Sequence, residues 1–252
     1  MQRILLAIFS FIFVLSCGGQ VKKTTPPKVP TYNAAKYVDA LTEHKYKVTL
    51  RLTALCPEGM YIGSAVIVGP DLVYTAKHVA ECRRGDALVI VGKRSDGAEV
   101  LLEIGDKSEN FDVVTLKAVS WMTPPPKEGK APEGDDAIDA IKGVNFEEYA
   151  VASPRDPRIG EELCFVGGGG DRELFLEKCG KVFLNSKTGF GVSILGVGGN
   201  SGGPIFDKHG AVLGIVSMRN LTDTATYIVS VKHVPGVMTK KSDQSVEAPA
   251  AP

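Results

Sequence analysis

The chain has 252 residues, with 29 basic and 29 acidic side chains and a formal net charge of +0. Balanced charge gives no bulk electrostatic pull toward nucleic acid or an anionic membrane surface. With 28 Gly, 15 Pro and many short Val/Ile/Leu-rich runs, the composition points to an all-β protein with frequent turns. Setting both ends aside leaves roughly 200 residues, enough for one sizeable core or two small barrels that share a cleft.

Met1 to Arg3 form a short positive start, and residues 4–15 are an apolar run too short to span a membrane. The following Val14-Leu15-Ser16-Cys17-Gly18 resembles a bacterial lipobox, in which the Cys is diacylated after cleavage. The expectation is a lipoprotein signal peptide over 1–16 and lipid on Cys17. Residues 17–44 then form a tether whose start is rich in Lys, Thr and Pro and has little to bury. An exported protein bound by lipid to a cell-envelope membrane follows, facing the periplasm from the outer membrane if the host is Gram-negative.

Strand signals begin at 47–52, where apolar and polar residues alternate with period 2, and continue at 61–68, 72–74, 87–91, 100–104 and 113–119. The Pro-rich segment 123–133 cannot lie inside a sheet and reads as a connection between halves. Beyond it come 163–166, 174–184, 191–195, 204–206, 212–217 and 225–231, with a weakly signalled closing helix near 234–240. Residues 240–252 form a polar, Ala/Pro-rich tail with nothing to bury.

Once Cys17 is set aside, Cys56, Cys82, Cys164 and Cys179 remain, and an even number in an exported protein suggests disulfides. Three connectivities are open. Cys56–Cys82 and Cys164–Cys179 are favoured because each pair brackets one candidate hairpin or loop. Scattered histidines and the absence of a CxxC pair argue against a metal site, and no cofactor is expected.

The strongest chemical signal is Gly198-Gly199-Asn200-Ser201-Gly202-Gly203-Pro204. Glycines on both sides let the backbone turn tightly and bring N–H groups toward an oxyanion formed when the Ser201 hydroxyl attacks a carbonyl. A hydroxyl needs a base. Of His44, His78, His209 and His233, only His78 directly follows an apolar strand, where a loop can aim it into a cleft; the other three read as surface residues. The base needs an orienting carboxylate. Asp112 leads into the apolar run Val113-Val114-Thr115-Leu116, whereas Asp96 and Asp106 sit in turn-like contexts.

Thr75-Ala76-Lys77-His78-Val79, Asp112-Val113-Val114-Thr115-Leu116 and Gly199-Asn200-Ser201-Gly202-Gly203-Pro204 together resemble the three motifs of trypsin-like serine peptidases, in the order of that family. The last motif has the Asn form of HtrA-type and staphylococcal V8-type enzymes. The resemblance implies two six-stranded antiparallel β-barrels, about 45–120 and 146–234, within a peptidase domain over 45–239. Their shared cleft would hold the active site. It further implies a serine endopeptidase acting on polypeptides through an acyl-enzyme, with Ser201 as nucleophile, His78 as base and Asp112 orienting it. Gly199, Asn200 and Ser201 would form the oxyanion hole, with N–H donors from Gly199 and Ser201. Asn200 stands where trypsin has the Asp that pairs with a newly cut N-terminus, so that activation device is not expected. The resemblance also makes the Cys56–Cys82 bridge beside His78 attractive.

By the same alignment the substrate pocket is lined by Leu195, Gly196, Val216, Ser217, Met218 and Arg219. Val216 takes the place of a glutamate-binding His, and Ser217 matches a Ser that supports the buried Asp. Without an acid at the base, small or aliphatic side chains are expected before the scissile bond. Arg219 would either plug the pocket or recruit an acidic side chain. Too few residues follow Val237 for a PDZ domain, so a stand-alone peptidase domain is expected. The rival readings are a catalytically silent binding protein of the same fold and an esterase. The esterase would carry Ser ahead of Asp and His, opposite to the order here.

Overall fold

The computed structural model describes residues 40–126, 143–168, 175–219 and 225–236. The expected signal peptide, Cys17, the tether up to residue 39, residues 127–133 of the connection, and the tail lie outside the described residues. So does most of the expected closing helix, whose place is preceded by a 3-10 turn over Val231–His233.

The first element is helix α1, Ala40–Lys47, so residues 40–44, expected in the tether, already belong to the folded part. Glu43 on its first turn pairs with Lys47 one turn later. Lys45 is buried and pairs with Glu177 at 2.7 Å, and its carbonyl accepts the Thr49 hydroxyl at 2.7 Å. A Lys-rich stretch carries no apolar periodicity. Burying one ammonium against one carboxylate is a tertiary arrangement that composition does not announce.

Six strands close the first barrel: β1 Thr49–Cys56, β2 Gly59–Ile67, β3 Leu72–Thr75, β6 Val89–Lys93, β7 Glu99–Lys107 and β8 Val114–Thr123, in the order β1-β2-β3-β8-β7-β6. All neighbours are antiparallel. Leu50, Leu52 and Ala54 point inward from β1 at 0% exposure, as the period-2 pattern dictates. Between β3 and β6 lie the one-turn helix α2, Lys77–Ala80, and a small hairpin of β4 Glu81–Cys82 and β5 Gly85–Asp86.

The second barrel is closed by β9 Glu162–Gly168, β10 Phe175–Asn185, β11 Gly189–Val192, β12 Pro204–Phe206, β13 Val212–Arg219 and β14 Thr226–Ser230, in the order β10-β11-β14-β13-β12-β9. Leu163, Phe165, Val182, Phe190, Ile205 and Leu213 fill it, each 2% exposed or less. The two six-stranded closed barrels are the all-β architecture the sequence implies. Disulfides join Cys56 to Cys82 and Cys164 to Cys179. The first ties the end of β1 to the segment just after α2. The second links directly opposed residues of β9 and β10.

Candidate active site

His78 owes its position to the end of β3. Ala76 is extended, after which α2 makes a single turn. Val79 and Ala80 bury the inner side of that turn at 2% and 0% exposure, which leaves the His78 ring projecting. Lys77 Nζ donates to Ser108 O at 3.1 Å, tying α2 to the connection between β7 and β8 that carries Asp112. Val113 and Val114, both fully buried, anchor that connection from its far side.

Asp112 is the hub. Its Oδ1 accepts the His78 backbone N–H at 2.9 Å, and its Oδ2 accepts both His78 Nδ1–H at 2.6 Å and the Ser217 hydroxyl at 2.6 Å. With Nδ1 donating, Nε2 presents its lone pair away from Asp112. Burial pushes the Asp112 carboxyl up, but the hydrogen bonds from His78 and Ser217 outweigh it and hold the group below the usual carboxylate range. The site therefore contains a fixed carboxylate and an oriented imidazole. Ser217 comes from the second barrel, at a register shift of β13 against β14 between Val216 and Met218. Such irregularities re-aim a side chain, here toward the other barrel.

Ser201 lies on the loop between β11 and β12. Two of its glycines, Gly199 at φ 88° and Gly202 at φ 85°, adopt conformations that other residues reach only with strain. The loop packs against the segment bearing His78. A Cβ at Gly202 would lie 2.1 Å from Ser64 O and 3.0 Å from Ala76 N, and one at Gly63 would lie 2.5 Å from Val79 Cγ1 and 2.9 Å from Ser201 O. Backbone contact thus packs the Ser201 loop against β2 and the segment that leads into His78. Among the described residues the Ser201 hydroxyl has no hydrogen-bond partner, His78 included.

The N–H groups of this loop divide into two sets. Asn200 donates to Val197 O at 3.1 Å, Gly202 to Val216 O at 2.7 Å and Gly203 to Asn200 O at 3.0 Å. Those of Gly199 and Ser201 have no partner among the described residues. The Asn200 amide is turned inward and its side chain is buried. Two unpaired N–H groups, one on Ser201 itself and one two residues before it, can stabilise a developing oxyanion.

Around the expected pocket, Val216 and Ser217 are buried, whereas Leu195 is 48% exposed. Gly196 lies against Thr226, whose hydroxyl donates to Ile194 O at 2.6 Å. Met218 and Arg219 pair in register with Tyr227 and Thr226, and their side chains lie outside the described residues. His44 contacts Glu148, and His209 lies in the turn capped by Asp207. His233, expected at the surface, is only partly exposed. Its ring stacks on Phe111 at 3.8 Å between centroids, and Nε2 donates to Lys187 O at 2.8 Å. This stack joins the second barrel to the residue immediately before Asp112. No sequence periodicity links positions 111 and 233, so pattern reading misses it.

No family model matches the chain. Curated relatives include glutamyl endopeptidases of Staphylococcus aureus. One from strain MW2 is 24% identical over 197 residues, covering 74% of this chain and 55% of its own. One from strain MRSA252 is 23% identical, covering 74% and 51%. The chain thus spans about half the length of the curated relatives it matches. Similar solved structures include a protease of M. tuberculosis in its active form, with TM-score 0.60, 15% identity and coverage of 77% and 80%. A serine endoprotease from Yersinia pestis gives TM-score 0.57, 16% identity and coverage of 76% and 61%. The HtrA-type protease AlgW with a tripeptide gives TM-score 0.56, 15% identity and coverage of 76% and 59%. The fold is that of the chymotrypsin-like, two-barrel serine peptidases.

Proposed function

We propose that this chain is a serine endopeptidase. The observation that carries the reading is the bonding of Asp112, which grips His78 at both its backbone and its ring and takes a third bond from Ser217. In this reading the Ser201 hydroxyl oxygen bonds to the scissile carbonyl carbon while its proton passes to His78 Nε2. The carbonyl oxygen becomes an oxyanion held by the Gly199 and Ser201 N–H groups. Its collapse breaks the C–N bond, and the amine leaves with the proton from His78. Water, deprotonated by His78, then attacks the acyl-enzyme and releases Ser201. A fluorophosphonate probe tests the reading directly: wild type is labelled and Ser201→Ala is not. An unlabelled wild type that binds peptides without cleaving them supports a silent binding protein instead.

The pocket supports small or aliphatic side chains before the scissile bond, because Val216 is apolar and buried and the Thr226 hydroxyl is already engaged. The named activity of the staphylococcal relatives makes glutamate the competing choice, with Arg219 as its cationic partner. Cleavage of a peptide library by wild type and Arg219→Ala separates the two. A loss of glutamate cleavage in the variant favours the second, and a Lys/Arg preference in wild type overturns both.

The lipobox-like segment supports lipidation at Cys17 and residence at an envelope membrane, and the protease relatives support polypeptides as substrates. Metabolic labelling with palmitate in the host should mark wild type and miss Cys17→Ser, which should leave the membrane fraction.

A further inference from the structure

Ser64 lies in β2 of the first barrel at 0% exposure and takes no part in the proton relay, yet all its polar atoms face the nucleophile's surroundings. Its backbone N–H donates to Ser201 O at 2.7 Å, and its carbonyl accepts the Thr75 hydroxyl at 2.7 Å, three residues before His78. Its own hydroxyl donates to Gly199 O at 2.8 Å and accepts the Gly168 N–H at 3.2 Å. Glycine at 64 would keep both backbone bonds, so the hydroxyl adds something distinct.

Following the peptide units of the loop shows what it adds. The unit joining Ser201 to Gly202 is held at both ends, by Ser64 N–H and by Val216 O. The unit joining Asn200 to Ser201 is held through Gly203 N–H. The unit joining Gly199 to Asn200 is held by Val197 O on one side and the Ser64 hydroxyl on the other. The preceding unit, between Gly198 and Gly199, has no hydrogen-bond partner among the described residues. It is flanked by glycines on both sides, so side-chain sterics do not restrain it. That unit carries the Gly199 N–H, one of the two free donors. Its orientation depends on how firmly the next unit is fixed.

We propose that Ser64 is a positioning residue for the reaction: from the first barrel, its hydroxyl holds the Gly199–Asn200 peptide so that the Gly199 and Ser201 N–H groups converge on the reacting oxygen. The inference rests on the serine-peptidase reading above. Full burial makes the bond hard for water to replace, and the hydroxyl sits in a gap kept open by Gly167, where a Cβ would lie 2.9 Å from Ser64 Oγ.

The test compares wild type with Ser64→Ala, Ser64→Thr and Ser64→Cys, using a cleaved peptide and a peptide aldehyde that forms an oxyanion on Ser201. Deleting an oxyanion donor costs about 10²–10³ in kcat. Loosening one should cost less, roughly tenfold in kcat for Ser64→Ala, with KM within about twofold of wild type. Aldehyde affinity should fall by the factor lost from kcat/KM, and Ser64→Thr, which keeps the hydroxyl, should restore both. If Ser64→Ala does not fold, Ser64→Cys keeps the volume with a weaker donor and should show a smaller loss of the same kind.

The proposal is overturned if a folded Ser64→Ala, or Ser64→Cys in its place, keeps wild-type kcat and aldehyde affinity. It is also overturned if aldehyde affinity merely tracks KM, or if a folded Ser64→Thr is as impaired as Ser64→Ala. A wild type that neither cleaves peptide nor reacts with fluorophosphonate removes the peptidase reading and this inference together. A reactive wild type with an unaltered Ser64→Ala removes only the inference.

Discussion

The two barrels supply the site by different physical means. On the first-barrel side, His78 stands on a one-turn helix whose inner residues are buried, and Asp112 bonds both its backbone and its ring while taking a third bond from Ser217 of the second barrel. On the second-barrel side, Ser201 sits among glycines, and its loop is fixed mainly by backbone hydrogen bonds, within the loop, to Val216 and to Ser64 of β2, with one side-chain bond from the Ser64 hydroxyl. The His78 side is held by side-chain hydrogen bonds, and the Ser201 side mainly by backbone ones. This division matches the chemistry. A base must keep one tautomer and one direction, whereas an oxyanion loop needs bare N–H groups that no side chain may cover.

The sharpest way to break the first half is Asp112→Asn. With the acceptor lost, His78 takes the wrong tautomer and kcat should fall by about 10⁴, as steady-state kinetics would show. The same variant reports on stability. The carboxyl is held below its unfolded value of about 3.9. Its contribution is therefore fully present above that value and is lost as pH falls through the folded one. Thermal melts of wild type and variant should differ at pH 7 and converge in acid; a difference that persists below both values would contradict the assignment.

The corresponding break on the nucleophile side is Gly202→Ala. Its Cβ would lie 2.1 Å from both Ser64 O and Thr75 Oγ1, at φ 85°. Backbone strain and overpacking together should cost roughly 2–5 kcal/mol, read from denaturant unfolding, with probe labelling lost sooner than fold. Replacing Cys56 and Cys82 together by Ala opens a loop with a sequence separation of 26 that contains His78. On the loop-entropy model this should lower stability by about 3 kcal/mol. Activity at low temperature should suffer less than stability, because Asp112 still holds His78.

The smallest effect is expected at the seam between barrels. His233→Ala removes the ring stacked on Phe111 and should cost about 1 kcal/mol of stability with a severalfold fall in kcat. His233→Phe keeps a stacking ring, loses only the bond to Lys187 O and should recover most of the rate. Equal losses in both variants would place the effect on Lys187 rather than on Phe111.

The sequence determined a good deal of this protein. Period-2 alternation in β1 placed Leu50, Leu52 and Ala54 in a core, because a strand has only two faces and one of them must be dry. Glycines around Ser201 announced a loop with exposed N–H groups, and a histidine and an aspartate next to buried strand residues announced where rigid elements end. Those are local signals, written in neighbouring residues. The helix α1 left no such trace, since the buried Lys45 depends on Glu177, 132 positions away. Ser64 looked like any polar residue within a strand, and His233 like any surface histidine. Their contacts arise only when barrel closure brings β2 against the Ser201 loop and the last turn against Phe111. Residue type and spacing set the strands and the candidate groups. Tertiary structure alone decided which hydroxyl, ring and amide would face them, because those contacts join residues that no period connects.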